Sequence, residues 1–288
     1  MKIAIATDIN SGITPAEAEQ EGLFLMQTPI IIDGEQYYQD VDLTQDEFYT
    51  ALRGGSRVST AQPSIYSVGE FWREILKEYD YIIHAPLSSS LSEAYYQMKK
   101  LAETEFGGKV FVIDNKRVSI TLRQSVLDAK KMADEGKAPE EIAEWLEQTK
   151  VQASIYLTVP TLEYLKRSGR LSATTAFFGS LMNIKPILQI QGEKIEQFKK
   201  VCKMSDAKAA MIQAVKNDLY DKFKEQTMQG KMGIGIAHTD NLAAAEKFKE
   251  EVLPQFPDVP FVKLDALNLS VAAHIGPGVL AFGCTRLY

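Results

Sequence analysis

Tyr81-Ile82-Ile83-His84-Ala85-Pro86-Leu87-Ser88-Ser89-Ser90-Leu91-Ser92 is a short apolar run that breaks off into a cluster of hydroxyls. Bounded by polar and turn residues, the run Tyr81 to Ala85 reads as a strand buried on both faces. Two further runs of the same kind, Ile3 to Thr7 and Val110 to Asp114, precede and follow it, with helical-looking stretches between. Such alternation predicts an α/β fold built on a parallel sheet. Thr14 and Glu17 form a capping box for a helix over Pro15–Glu21, and helices are expected over Ser67–Glu78, Ser92–Glu105, Ile120–Gly136 and Pro139–Thr149. Beyond Val151 come a strand Ala153–Thr158, a short helix Thr161–Ser168 stopped by Gly169, and a strand Ile184–Ile190. The turn Gln191-Gly192-Glu193 leads into a return strand Lys194–Phe198, followed by a long helix Asp206–Gln226. Strands Met232–Ala237 and Pro260–Leu264 flank a helix Asn241–Val252, and Val279–Phe282 closes the chain as a strand. Two α/β lobes are expected, residues 1–150 and 151–288, with a cavity between or within them as the default ligand site.

The composition bounds the function. The 288 residues are 45% hydrophobic and 24% charged, an ordinary globular balance with a net charge of −6 that disfavours nonspecific binding to nucleic acid. The two cysteines, Cys202 and Cys284, make no metal-type spacing and read as reduced thiols, and no metal or cofactor is expected. The first apolar run is too short for a signal peptide and no stretch approaches the ~20 apolar residues of a membrane span. A cytoplasmic, soluble protein is expected.

Several polar groups are candidates for chemistry. Ser88 to Ser92 lie at the carboxyl end of a strand and before a helix, where open sheets bind ligands, although a serine there also serves as a helix cap. Ser59-Thr60-Ala61-Gln62-Pro63-Ser64 is a second hydroxyl-rich segment, readable as a turn opening a helix. Asp8 ends the first strand, as a functional or a turn residue. Ser168-Gly169-Arg170 places a guanidinium after a helix-ending glycine, suited to a carboxylate or simply to the surface. His274-Ile275-Gly276-Pro277-Gly278 sets one of three histidines beside a rigid turn whose backbone amides are expected to converge on an anion. His84 and His238 sit in or beside apolar runs and read as core or strand-end residues. No G-x-S-x-G elbow and no P-loop occurs, and Gly233-Ile234-Gly235 lacks the third glycine of a dinucleotide fingerprint. A nucleophilic arrangement of His274 with Ser92 or Asp8, giving a hydrolase or transferase, stays open because triads are defined by geometry.

Taken together, the segments resemble the DegV family nearly end to end. The resemblance is carried by Lys2 to Asp8, Asp33-Gly34-Glu35-Gln36-Tyr37, Val41-Asp42-Leu43-Thr44 with Glu47-Phe48-Tyr49, and Ser59 to Ser64. Further on it is carried by the serine loop from Leu87 to Tyr95, Thr161-Leu162-Glu163-Tyr164-Leu165 with Gly169-Arg170-Leu171-Ser172, Leu181 to Leu188, and His274 to Gly278. The resemblance implies two α/β lobes enclosing a long-chain fatty acid, in a protein that is a lipid-binding carrier and not itself an enzyme. It also implies a partner, a separate fatty-acid kinase that phosphorylates the presented carboxylate and feeds phospholipid metabolism. Carried onto matching positions, Thr60, Ser92, Arg170 and His274 bind the carboxylate, with Ser59, Gly276 and Asp8 in support. Against the family's pattern, Ile9 stands where a serine is usual, Ser92-Glu93-Ala94-Tyr95 replaces Ser-Gly-Thr-Tyr, and Cys202-Lys203-Met204-Ser205 replaces an arginine-rich stretch. A DNA-associated regulator, suggested only by the family's historical name, is opposed by the acidic balance.

Overall fold

The computed structural model describes residues 1–170, 184–192 and 195–288, which form two compact units, Met1–Val151 and Gln152–Tyr288. In the first unit the elements run β1 (Ile3–Asp8), α1 (Pro15–Glu21), β2 (Phe24–Met26), β3 (Ile30–Ile32), β4 (Glu35–Tyr37), α2 (Gln45–Arg53) and β5 (Val58–Thr60). They continue with α3 (Ile65–Ile75), β6 (Tyr81–Ala85), α4 (Ala94–Glu105), β7 (Val110–Val112), α5 (Ser119–Asp134) and α6 (Pro139–Thr149). The capping box of α1 is formed: Glu17 N–H donates to Thr14 Oγ1 and Thr14 N–H to Glu17 Oε2, both at 3.2 Å. Strands β2, β1, β6 and β7 make an all-parallel sheet in that order. From β1 the chain crosses outward to β2, then returns to the far side for β6 and β7, so the topological switch point lies between β1 and β6. A separate antiparallel sheet, β4-β3-β5, sets Thr60 opposite Ile30 and Ser59 opposite Ile31.

Alternation along the strands buries both faces of the parallel sheet. Ala4, Ala6, Ile82, Val110 and Val112 pack with Trp72 of α3 and Met98 and Leu101 of α4. Ile5 and Ile83 point the other way and are equally buried, where α5 and α6 contact β1 and β6. His84 belongs to this core. Trp72 Nε1–H donates to His84 Nδ1 at 2.9 Å, Nε2 has no hydrogen-bond partner among the described residues, and burial pushes the imidazole pKa down to about 3.

That shift carries a sign. Above the unfolded value of ~6.5 both states are neutral and His84 contributes nothing; below it the unfolded chain takes up a proton that the folded chain refuses, so stability falls with pH until about 3. Between pH 7 and pH 5 this loss amounts to ~2 kcal/mol. His84→Gln retains an acceptor for Trp72 without titrating, so urea unfolding of that variant should show a pH dependence smaller by about that amount; identical slopes in the two proteins would count against it.

The second unit contains β8 (Ala153–Thr158), α7 (Glu163–Ser168), β9 (Lys185–Ile190), β10 (Glu196–Val201), α8 (Met204–Asn217) and α9 (Lys224–Met228). Then follow β11 (Met232–His238), α10 (Leu242–Val252), β12 (Phe261–Ala266), α11 (Leu269–Ile275) and β13 (Leu280–Arg286). Its sheet runs β10-β9-β8-β13-β11-β12, antiparallel except between β11 and β12. One face packs on α8 and α10, with Met211, Val215 and Phe248 against Phe282, Ile236 and Ile187. The helix expected over 206–226 is interrupted: a π-helical turn, Asp218–Lys222, separates α8 from α9 and carries Asp218, whose carboxylate accepts from Tyr156 Oη at 2.8 Å. Glu193 and Lys194 of the expected turn and return strand, and Leu171, Ser172 and Leu181 to Asn183 of the family-like motifs, lie outside the described residues.

Candidate functional site

In the first unit the carboxyl ends of β1 and β6 meet at the switch point, and the protein's own carboxylate occupies it. Asp8 is buried and accepts from Leu87 N–H at 2.7 Å, Asn10 N–H at 2.9 Å and Asn10 Nδ2 at 2.8 Å. Burial pushes its carboxyl above the ordinary value, against those hydrogen bonds. These partners are backbone and amide groups, so Asp8 ties the start of the serine loop to β1 and orients no imidazole through them.

The serine loop is braced along its length. Ser88 N–H donates to Arg117 O at 3.1 Å, and the Ser88 and Ser90 hydroxyls lie 2.6 Å apart. Ser89 N–H and its hydroxyl donate to the two oxygens of Asp114, while Lys116 Nζ reaches Ser89 Oγ at 2.8 Å and Asp114 Oδ2 at 3.2 Å. Leu91 and Ser92 N–H both return to Ser88 O. The helix α4 begins at Ala94, two residues later than expected, and its N-cap position is the exposed Glu93 without a side-chain cap. Ser92 Oγ accepts from Ala94 N–H at 3.3 Å, which leaves its O–H proton as a donor for a ligand. At the end of β5, Thr60 is half-buried and Ser59 exposed, and as consecutive strand residues they face opposite sides of the sheet. Ser64 caps α3, its Oγ accepting from Ser67 N–H at 3.0 Å.

In the second unit α7 ends at Gly169 in the left-handed region, and Arg170 folds back so that its Nη1 donates to Ser168 O. The sequence pattern missed α11, which Asn268 caps by accepting from Val271 N–H at 3.1 Å, and His274 lies in its last turn. Gly276 follows at φ 79 and ψ 176, and a Cβ there would stand 2.3 Å from Tyr164 Cδ2 of α7; at Gly278, φ 81, it would stand 2.9 Å from Pro160 Cγ. Both glycines are therefore needed for the loop to lie against Pro160 and α7. Burial, and then the Arg170 charge, push the His274 imidazole pKa down to about 4, so it is neutral near pH 7.

One expectation is corrected. The amides of the Gly-Pro-Gly turn do not converge on an anion. Gly276 N–H donates to Ala272 O at 2.8 Å, Gly278 N–H to Thr239 O at 2.7 Å and Val279 N–H to Thr239 Oγ1 at 3.0 Å, and Pro277 has no N–H. Thr239, buried after β11, also donates from its hydroxyl to Gly276 O at 2.7 Å and so organises the turn; nothing in the local sequence marks it. Cys202 is exposed, Cys284 buried, and neither forms a disulfide. Among the described residues no cluster of His, Cys, Asp and Glu has the makings of a metal site, and no helix is long and apolar enough to cross a membrane.

Fold and site define an α/β protein with one hydroxyl-bearing loop at a parallel-sheet switch point and an Arg–His pair on a separate unit. The chain belongs to the DegV family: the family model described as "Uncharacterised protein, DegV family" matches residues 2–286. The DegV domain-containing protein of Caldanaerobacter subterraneus subsp. tengcongensis is 30% identical over 276 residues, covering 96% of each chain. A fatty-acid-binding DegV family protein from Thermus thermophilus has the same fold, with TM-score 0.86, 26% identity and 100% of both chains covered. DegV of Bacillus subtilis, a fatty acid binding protein, matches at TM-score 0.84 and 26% identity, again over 100% of both chains.

Proposed function

We propose that this chain is a cytoplasmic carrier that binds a long-chain fatty acid and presents its carboxylate to a separate kinase for phosphorylation. Thr60 and Ser92 of the first unit and Arg170 and His274 of the second are its carboxylate donors. The observation that carries this is full-length similarity, at 26% identity, to structures of fatty-acid-binding DegV proteins. The chemistry of the residues agrees with it. Ser92 retains a hydroxyl proton to donate, and the cationic Arg170 stands beside a neutral His274, which supplies one N–H to an anion. Donors of this kind orient the head group, while each buried CH₂ contributes ~0.8 kcal/mol, so the alkyl chain supplies most of the affinity. Glu93 is exposed, as a carboxylate near such a site must be to avoid opposing the ligand's charge. Chemistry at the bound carboxylate belongs on this reading to the kinase chain, and Asp8, held by Leu87 and Asn10, acts in the scaffold and not as a ligand donor. Denaturing extraction of the purified protein followed by mass spectrometry tests the reading, with long-chain acids as the expected yield.

A further inference from the structure

We propose that Asp114, acting through Ser89 and assisted by Lys116, is a positioning residue that aims the Ser92 hydroxyl at the ligand's carboxylate; this rests on the fatty-acid reading above. The serine loop hangs between two carboxylates at the ends of two strands of one sheet. On the β1 side Asp8 fixes Leu87 N–H at 2.7 Å, and just after β7 Asp114 fixes Ser89 N–H at 3.1 Å together with the Ser89 hydroxyl. Charge-assisted hydrogen bonds of this kind are roughly twice as strong as neutral ones, and two of them on one residue define its orientation as well as its place. Lys116 Nζ closes the cluster by reaching both Ser89 Oγ and Asp114 Oδ2. Burial opposes the Asp114 charge, but the bonds from Ser89 and Lys116 outweigh it and hold the carboxyl below its ordinary value, so the brace stays charged near neutral pH.

The brace decides which groups face a ligand. Leu87, Ser88 and Ser89 N–H all bond to the scaffold, and Leu91 and Ser92 N–H turn back to Ser88 O. Ser90 N–H is bonded to Ser88 Oγ at 3.2 Å, so every amide from Leu87 to Ser92 is engaged within the protein, and over that span the loop's contribution to an anion passes through the Ser92 hydroxyl. Ser92 is three residues beyond the residue that Asp114 grips, and Ser88 O joins them through a single tight turn. A loosened Ser89 therefore tilts Ser92 without removing any group that touches the ligand.

The test compares hexadecanoic acid with hexadecan-1-ol, titrated into the delipidated full-length protein. Asp114→Asn should weaken acid binding about tenfold and leave the alcohol within about twofold. Because that change also releases the Lys116 charge, Ser89→Ala, which alters no charge, is the second variant and should behave likewise. In a Ser92→Ala background either change should add less than about twofold, since both act through the same hydroxyl. Equal losses for acid and alcohol, or full additivity with Ser92→Ala, overturn the positioning role while fatty-acid binding stands. A wild-type protein with no preference for the acid overturns the carboxylate reading itself, and this inference with it.

Discussion

Replacing Gly276 with valine is expected to destabilise the protein by about 3–5 kcal/mol, the sum of backbone strain and overpacking. The backbone there has φ 79 and ψ 176, a combination essentially confined to glycine, and a Cβ would lie 2.3 Å from Tyr164 Cδ2 and 2.5 Å from its Cε2. The nearest atoms belong to the half-buried Tyr164 ring, so relief requires that ring to leave its place against the turn or α7 and α11 to separate. Urea unfolding measures the cost, and an unchanged midpoint would contradict it. Adding Tyr164→Ala should restore the steric part and leave the backbone part in place. On the fatty-acid reading proposed above, head-group binding is coupled to the same contact, because the turn lying on α7 keeps His274 within the field of Arg170.

Arg170→Ala should weaken binding of a long-chain acid by roughly 10- to 100-fold, the range for losing hydrogen bonds to a charged group, with little change in stability. A second readout reports directly on the geometry. The guanidinium holds down the His274 pKa, so its removal should raise that pKa from about 4 toward, though not up to, the ordinary histidine value, since burial remains. Nuclear magnetic resonance titration of the imidazole gives the value. An unmoved His274 would show that the two side chains do not sense one another, and unchanged acid affinity would remove Arg170 from the head-group site.

Continuous apolar runs and periodic stretches opened by proline were legible in the sequence. Tyr81–Ala85 and Pro139–Thr149 are observed with the bounds their patterns predict, and Ile3–Thr7 extends by the one residue Asp8. The strands β2 to β5 are three residues each, too short for a period of two to declare itself, and they were not anticipated. The helix α11 was hidden by the turn that follows it: Gly276-Pro277-Gly278 drew His274 into a loop, whereas Asn268 starts a helix that ends just before the first glycine. The interruption at Asp218 was equally hidden, since a π-turn leaves the apolar periodicity on either side of it intact. At the candidate site, residue types were readable but commitments of their polar groups were not. A serine-rich loop advertises hydroxyls, yet only the positions of Asp8, Asp114 and Arg117 reveal which of its amides are already bonded. The same holds for the Gly-Pro-Gly turn, whose amides are taken up by Thr239 and Ala272.

What the protein carries when purified is the most direct measure of fatty-acid binding. Purified protein, denatured, extracted and analysed by mass spectrometry, should release C14–C18 fatty acids in an amount approaching one per chain, and release far less when Arg170→Ala and Ser92→Ala are combined. Extracts that hold no long-chain acid, or only a nucleotide or a sugar phosphate, would contradict fatty-acid binding.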